Sequence, residues 1–309
     1  GANGTGAAQG PFNTIQAALD AAEDYDIVSL AVGTYGGQGN VNLDYAGKPV
    51  MVSGAGGGSA SIIDCQGTAE CGVDFRTGED GRSVLSSVEI CHATKSAIRG
   101  AWLTTPAIQH CRIASNQAAF LSQGGAWIRN CEIEGNQSDE GVIRASEDLF
   151  LENCALVHNA GSAENAVIVF SGNRLQLINC TLAENPMVPL VVRSLNESET
   201  RIGNSIFWSN ASFLSECPLA DVFVRHSCVQ GGYAGVGNIS NDAQLTPRGR
   251  LKANSPCIDS GVSLAAPPAD LAGIPRWDDP SQTNAFSSFD MGAWEFVDAD
   301  ADGMDSGWE

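Results

Sequence analysis

The chain has 309 residues, and 43% of them are hydrophobic, so it can bury a substantial core and intrinsic disorder is disfavoured. It carries 16 basic and 36 acidic side chains, a formal net charge of −20 at neutral pH. A protein this acidic repels phosphate backbones, which argues against nucleic acid as a partner. No apolar run approaches the ~18 residues that would span a bilayer.

Residues 1–40 predict an N-terminal cap made of a helix and a strand. The stretch "PFNTIQAALDAAEDYD" indicates an amphipathic helix that begins after Asn13 or Thr14, since both residue types cap helices well. Its apolar residues recur with helical spacing, at Ile15, Ala18, Leu19 and Ala22. The strand "IVSLAV" and the turn "GTY" follow.

A repeat occupies the middle of the chain, over residues 41–240. "IRNCEIEGN", "LENCALVHN" and "LINCTLAEN" are close copies, and aligning them gives a cysteine column with steps of 20, 23 and 26 residues: Cys111, Cys131, Cys154 and Cys180. Ser205 continues this column after a further 25 residues. An asparagine always follows five residues later, at Asn116, Asn136, Asn159, Asn185 and Asn210. A fixed internal offset with variable spacing between repeats indicates stacked structural units.

The repeating unit is β-structured. Cys131 and Ile133 would share one face of a strand, with Glu132 on the other face. Units of 20 to 26 residues with short strands and polar corners predict an all-β parallel β-helix of eight or nine coils. We expect the cysteine and isoleucine columns to fill the interior. The asparagine column would lie inside a turn, with its amides bonded along the stack.

Six cysteines lie outside this column. Cys65 and Cys71 close the short loop "CQGTAEC" and are the best disulfide candidate for a secreted protein. Partners for the other four do not follow from the sequence.

Several side chains in the coils could serve a carbohydrate-active site or be ordinary solvent-facing residues. Three arginines occupy similar places ahead of the cysteine column and could bind an anionic glycan, and a histidine could act as a base. These catalytic candidates are Arg99, Arg144, Arg193 and His158. Trp102 and Trp127 could stack on sugar rings or pack against a neighbouring coil. No spacing among these residues demands catalysis.

Two regions carry a family resemblance. The segment "GPFNTIQAALDAAEDYDIVSLAVGTY" resembles the start of pectin-lyase-like right-handed β-helix proteins. The motifs "HSCVQGG", "RLKANSPCIDSG", "DLAGIPR" and "FDMGAWEF" resemble the closing region of bacterial surface proteins of the choice-of-anchor Q type. This resemblance implies that residues 241–297 fold back along the coils, and that the protein is secreted or displayed at a cell surface.

The last twelve residues, 298–309, match a calcium-loop template. "DADADGMDSGWE" places acidic residues at positions 1, 3, 5 and 12 and glycine at position 6, and Asp305 adds a further oxygen source. The predicted Ca²⁺ ligands are Asp298, Asp300, Asp302, Asp305 and Glu309. Because no helix follows the loop, we expect weak affinity.

These features predict a rigid extracellular module with a structural, adhesive or glycan-contacting role, whose partner is a polysaccharide or a cell-surface component. A polysaccharide lyase or other carbohydrate-active enzyme is the alternative, because the fold hosts many of them and fold alone does not decide function. A third hypothesis is self-association into a filament, although the N-terminal cap argues against end-to-end growth.

Overall fold

The computed structural model describes residues 10–161, 166–192, 198–215, 220–263, 266–278 and 284–298. One short helix, α1 (Ile15–Ala21), precedes a stack of parallel strands. The all-β solenoid of about eight turns predicted from the repeat is therefore confirmed. No helix within the described part of the chain is long and apolar enough to cross a membrane.

The strands form three parallel sheets that run along the stack. The first sheet has nine strands: β1 (Ile27–Leu30), β3 (Met51–Gly54), β6 (Val84–Ser86), β9 (Ala107–Gln109), β12 (Ala126–Arg129), β15 (Leu149–Glu152), β18 (Arg174–Ile178), β21 (Ser198–Gly203) and β24 (Ala220–Arg225). The second also has nine: β2 (Gly33–Gly36), β4 (Ser61–Asp64), β7 (Glu89–Cys91), β10 (Arg112–Ala114), β13 (Glu132–Glu134), β16 (Ala155–Val157), β19 (Thr181–Ala183), β22 (Ile206–Trp208) and β25 (Cys228–Val229). The third has seven: β5 (Val73–Phe75), β8 (Ile98–Gly100), β11 (Phe120–Ser122), β14 (Ile143–Ala145), β17 (Ala166–Phe170), β20 (Val188–Val192) and β23 (Leu214–Ser215).

Each strand pairs with the equivalent strand of the next coil, so equivalent side chains stack in columns. In the second sheet Ile113 pairs with Ile133, and Ile133 pairs with Leu156. These three side chains are fully buried in the interior. The coils above and below supply the backbone hydrogen-bond partners of each short strand, so the strand can lie in the stack with one face fully buried.

The helix closes the N-terminal end of this stack. Thr14 is the N-cap, and its hydroxyl accepts a hydrogen bond from the Ala17 amide at 3.2 Å. Ile15 and Leu19 are buried against the first coil. β1 is itself the first strand of the first sheet, because it pairs residue for residue with β3.

The cysteine column lies at the corner between the first and second sheets, with its thiols buried. Each thiol donates to the carbonyl two residues earlier, for example Cys131 Sγ to Arg129 O at 3.1 Å. Ser205 makes the same bond to Gly203 O at 2.8 Å. Cysteine and serine are therefore interchangeable in this column, since both are small donors that satisfy the carbonyl at the corner.

The predicted disulfide between Cys65 and Cys71 is wrong. Both residues are buried as free thiols, and burial raises the pKa of Cys65 to about 12 and that of Cys71 to about 11. Cys65 follows β4, whereas Cys71 precedes β5 in another sheet and bonds through Sγ to Asn42 Oδ1 at 3.3 Å. The short loop between them turns a corner of the coil, so their proximity in sequence reflects the turn and not a bridge.

The asparagine column forms a continuous ladder inside the corner between the second and third sheets. Asn136 Nδ2 donates to Asn159 Oδ1 at 3.0 Å, and Asn159 Nδ2 donates to Asn185 Oδ1 at 3.2 Å. The same amides also donate to strand carbonyls, such as Asn159 Nδ2 to Ile133 O at 2.9 Å. Asn136, Asn159 and Asn185 are fully buried, so these bonds satisfy groups that water does not reach.

A second asparagine column explains why the repeat contains Asn-Cys. The residue before each cysteine has a left-handed backbone, with φ of 50° at Asn130 and 49° at Asn153 and Asn179. Asparagine tolerates this conformation better than most residues. The side chains also bond along the stack, as in Asn153 Nδ2 to Asn130 Oδ1 at 3.0 Å.

The described residues between 241 and 298, called the C-terminal clamp below, pack back on the coils through this second column. Asn153 Nδ2 donates to Ala269 O at 2.7 Å, and Asn204 exchanges two hydrogen bonds with the backbone of Val262. Further along, the Ala293 amide donates to Thr181 Oγ1 at 3.0 Å. The polar corner of the coils thus provides the attachment points for a segment with little regular structure.

Buried charges hold the clamp in shape. Arg276 donates to Glu295 Oε2 at 2.7 Å, with side chains 2% and 0% exposed, and also to Asn153 Oδ1 at 2.9 Å. Asp290 accepts backbone amides from Asp259 and Phe296. The acidic and arginine residues of the motifs "DLAGIPR" and "FDMGAWEF" therefore act mainly as internal connectors.

Candidate functional site

The outer face of the second sheet is divided into a covered half and an open half. The clamp covers the later coils, where Ala155, Thr181 and Ile206 are buried beneath it. The earlier coils leave β7, β10 and β13 facing outward with charged side chains. A groove lies where the two halves meet.

This groove has a volume of about 550 Å³, within the usual range for a small-ligand site. One wall is the loop around Gly58, which approaches so closely that a Cβ there would lie 2.6 Å from His110 O. The opposite wall is formed by Arg248, Leu271 and Ala272 of the clamp. The groove exists only because the clamp lies beside the coils.

The floor of the groove carries alternating charges from successive coils. Arg112 on β10 donates to Glu89 on β7 at 2.8 Å and to Glu134 on β13 at 3.1 Å. These contacts arise because parallel register places the three strands side by side. The ion pairs fix the guanidinium, and of the two carboxylates only that of Glu134 lines the groove.

Glu132 differs from these paired groups. It lies on β13 with its side chain in the groove, and it accepts no hydrogen bond from any residue that the structure describes. Burial raises the pKa of Glu132 above its ordinary value, and the positive charges of Arg112, Arg250 and Arg248 oppose this rise only in part. Across the groove, Arg248 forms no ion pair within the described ranges. Glu132 and Arg248 thus line the same groove, and neither forms a hydrogen bond or ion pair with another described side chain, so both can bind a ligand.

His110 and Asn130 occupy the edge of the groove at the corner of the coil. Both have left-handed backbones, with φ of 54° and 50°. Their side chains approach each other, with Asn130 Nδ2 and His110 Nε2 3.5 Å apart. They add hydrogen-bonding groups beside Glu132.

A larger cleft of about 640 Å³ lies between α1 and β1. Its lining is mostly apolar, and Asp26 is the one charged side chain that the described residues contribute. We therefore assign the candidate site to the groove, where several polar groups converge.

The predicted arginine face lies on the third sheet, away from the groove. Arg99 and Arg144 share a column, because both pair with Leu121 in the coil between them. Arg99 is held by Glu70 at 2.7 Å and by Asp74 at 2.6 Å, and Arg144 is held by Glu140 at 3.0 Å. Arg193 lies outside the described residues. The charges that would attract an anionic glycan are thus already neutralised by neighbouring carboxylates.

His158 and the two tryptophans are not brought together with these arginines. His158 is exposed at the corner after β16. Trp102 is 63% exposed in the turn between β8 and β9. Trp127 stacks on Phe150 of the neighbouring coil at 4.1 Å, and Arg129 lies over its ring at 5.1 Å, while 39% of the residue stays exposed.

Of the predicted calcium ligands, Asp298 ends the described chain, and Asp300, Asp302, Asp305 and Glu309 lie beyond it. The structure therefore gives no geometry for this loop.

Sequence reasoning missed the importance of Arg112 and Arg248 and gave Glu132 and Glu134 no defined role. For Arg112, Glu132 and Glu134 a signal was available in the strand alternation of "CRIAS" and "CEIEG", which places these side chains outward on adjacent coils. No signal pointed to Arg248, because it reaches the groove from a segment without a repeat.

The stack of parallel coils around a single core defines a β-helix protein. The sequence matches the family model described as "Right handed beta helix region" over residues 51–249, and the chain belongs to this family. The chain resembles the solved structure "Pectin methylesterase from Carrot", with 14% identity, a TM-score of 0.49, and coverage of 79% of this chain and 83% of that one. It also resembles "Crystal structure of pectate lyase Pel9A", with 15% identity, a TM-score of 0.37, and coverage of 95% and 93%. No curated protein matched the sequence. Similarities this distant carry no argument about the fold or the groove, and the fold assignment rests on the family match and the strand pairing.

Proposed function

We propose that this protein is a glycan-contacting β-helix module that binds a saccharide in the groove between the coils and the clamp. The observation that supports this most directly is that Glu132 and Arg248, neither of which is hydrogen-bonded to another described side chain, line the same groove of about 550 Å³. Sugar hydroxyls both donate and accept hydrogen bonds, so one ring could satisfy the carboxylate and the guanidinium together. The protein would act as a rigid rod at a cell surface or in the extracellular space.

The charge distribution favours a neutral or amino-sugar glycan over a polyuronate. The chain has a net charge of −20, and the groove is lined by Glu132 and Glu134 against Arg112 and Arg248. Arg112 is already paired with Glu89 and Glu134. A polyanion would be repelled at long range and would find only one unengaged guanidinium.

A binding panel tests this proposal. Neutral polysaccharides, a chitosan-type amino-sugar polymer and polyuronates would be compared by affinity electrophoresis and calorimetry. We expect at least one neutral or amino-sugar polymer to bind and Arg248→Ala to weaken that binding by about tenfold, the effect of losing roughly 1.4 kcal/mol. Arg144→Ala is the matched control, since its ion pair with Glu140 lies on the third sheet. Binding lost equally in both variants, or binding only to polyuronates, would refute the groove as the site.

Catalysis is the second candidate function, and the raised pKa of Glu132 favours it. A half-buried carboxyl group whose pKa is raised can donate a proton to a leaving oxygen, as a general acid must. Release of reducing ends or of unsaturated products from the bound polymer would reveal turnover. Glu132→Gln should then abolish turnover and retain binding, whereas a purely binding groove shows no turnover in the wild-type protein.

We also propose that the protein is secreted or surface-displayed and that residues 298–309 bind Ca²⁺ weakly. The support is the acidic spacing of that segment and the overall acidity. Calorimetric titration with Ca²⁺ should give a weak site that Asp300→Ala removes and Asp139→Ala, a substitution in the coils, leaves intact. If the two variants bind Ca²⁺ with the same affinity, residues 298–309 are not the Ca²⁺ site.

A further inference from the structure

A second cluster lies at the opposite edge of the open face of the second sheet. Asp64 is the last residue of β4, Cys91 is the last residue of β7, and His92 follows at the corner. Parallel register places Asp64 directly beside Cys91 on the neighbouring coil. His92 Nδ1 lies 2.8 Å from Asp64 Oδ1.

The donor atoms of these three side chains converge. One imidazole nitrogen, the Cys91 sulfur and one carboxylate oxygen of Asp64 all lie within 4.8 Å of one another. The left-handed backbone of His92, with φ of 58°, turns the imidazole back toward the preceding coil. Nitrogen, sulfur and oxygen donors at such separations can move onto one ion with small rotamer changes, because the His92 side chain is 54% exposed and the Asp64 side chain 26% exposed.

The other coils show that this convergence is not a general property of the corner. The positions equivalent to Cys91 in the next three coils are Ala114, Glu134 and Val157, as the strand register gives them. His158 occupies the same corner as His92 but follows Val157, so it has no sulfur neighbour. Within the described ranges, a set of three such donors occurs only at Asp64, Cys91 and His92.

We propose that Asp64, Cys91 and His92 form a binding site for a borderline divalent transition-metal ion of the zinc class. Imidazole, thiolate and carboxylate are the ligand types that Zn²⁺ takes, and three protein ligands leave a fourth position for a solvent or ligand oxygen. The thiol proton is released to solvent when the ion binds. The site would link the coil of β4 to the coil of β7, and its open position would face the same side of the second sheet as the groove.

An alternative explanation is that Asp64 and His92 form a simple ion pair beside an uninvolved thiol. The two explanations differ in the role of Cys91, because a metal site requires its sulfur and an ion pair does not. Cobalt separates them, since Co²⁺ bound to a thiolate gives charge-transfer absorption in the near ultraviolet.

The experiment titrates the reduced, chelator-treated full chain with Co²⁺ and follows this absorption, then displaces Co²⁺ with Zn²⁺. We expect one Co²⁺ per chain with a thiolate band in the wild-type protein and in His158→Asn, the matched control. Cys91→Ser should lose the band. His92→Asn and Asp64→Asn should weaken Co²⁺ binding by at least about tenfold, a size of effect seen even when residues that only orient metal ligands are changed.

The outcomes are decisive in both directions. Absence of a thiolate band in the reduced wild-type protein, or an unchanged band in Cys91→Ser, would overturn the site. Circular dichroism of each variant checks its folding. If Cys91→Ser is misfolded, Asp64→Asn keeps the thiol and still tests the site, since unchanged Co²⁺ affinity in that variant would also overturn it.

Discussion

The coil stack and the C-terminal clamp are stabilised in different ways. In the coils the same small contact is repeated, as in the ladder through Asn136, Asn159 and Asn185. In the clamp each contact occurs once and joins distant parts of the chain, as Arg276 joins Glu295 and Asn153. The comparison teaches that a repeat distributes stability over many equivalent positions, whereas the clamp concentrates it in a few buried charges. The groove lies at the boundary between these two regions.

Breaking the buried ion pair of the clamp should cause the largest loss in the free energy of unfolding. Arg276→Met leaves Glu295 buried without its partner, which costs about 3–5 kcal/mol. Arg129→Met is the matched control, because the pair of Arg129 with Glu152 is long, at 3.8 Å, and partly exposed. Surface pairs of that kind contribute about 0–1 kcal/mol. Urea denaturation of both variants measures the difference, and equal losses would contradict the contrast between clamp and coils.

A smaller but clear effect is expected in the middle of the asparagine ladder. Asn159→Ala removes the side-chain bonds to Ile133 O and Asn185 Oδ1. It also leaves the buried backbone amide of Asn136 without an acceptor, for a total cost of about 3 kcal/mol. Asn210→Ala, at the partly exposed end of the ladder, should cost about 1 kcal/mol, because water can replace the lost contacts. Thermal unfolding of the two variants tests this order, and a reversed order would show that the ladder is not the main support of this corner.

The buried carboxyl groups of the clamp should make the free energy of unfolding depend on pH. Burial raises the pKa of Asp270 and of Asp290 in the folded protein, with the nearby Glu295 carboxylate adding to the rise at Asp290. A carboxyl group with a raised folded-state pKa contributes stability below its unfolded value of about 4, and that contribution is lost as the pH rises through the folded value. The free energy of unfolding should therefore decline from mildly acidic pH toward neutral pH. Asp290→Asn should show a shallower decline than the wild-type protein, and an identical slope would reject this assignment.

The smallest effect is expected in the cysteine column. Cys131→Ser keeps the hydrogen bond to the carbonyl two residues earlier, as Ser205 does naturally, so the change should cost less than about 1 kcal/mol. Cys131→Ala, which lacks the donor, is the comparison variant and should cost more. Chemical denaturation measures both, and a loss of several kcal/mol for serine would mean that packing of the sulfur, and not its hydrogen bond, dominates the corner.

The sequence predicted the coils well because their contacts are periodic. The fixed offset from Cys131 to Asn136 predicted both the alignment of equivalent strands and the asparagine ladder. The left-handed backbone of Asn130 was not predicted, although asparagine favours this conformation and recurs before the cysteine in the repeat. The suggested bridge between Cys65 and Cys71 failed because proximity in sequence was taken for a covalent link, when a corner of the coil lies between them.

The candidate site was harder to predict because its parts come from segments of different kinds. Strand alternation places Glu132 and Arg112 outward, but their contact depends on loop lengths between coils. Arg248 reaches the groove from the clamp, which has no period to align. Likewise, Asp64 meets Cys91 and His92 only through the register of adjacent coils.

The most direct test of the central claim is hydrogen–deuterium exchange with and without an oligosaccharide of the glycan that binds in the panel. If the groove between coils and clamp is the site, peptides covering residues 128–136 and residues 246–252 should gain protection together. Protection confined to the third sheet around Arg99 and Arg144, or to the turn at Trp102, would contradict the account and place the binding surface on another face of the β-helix.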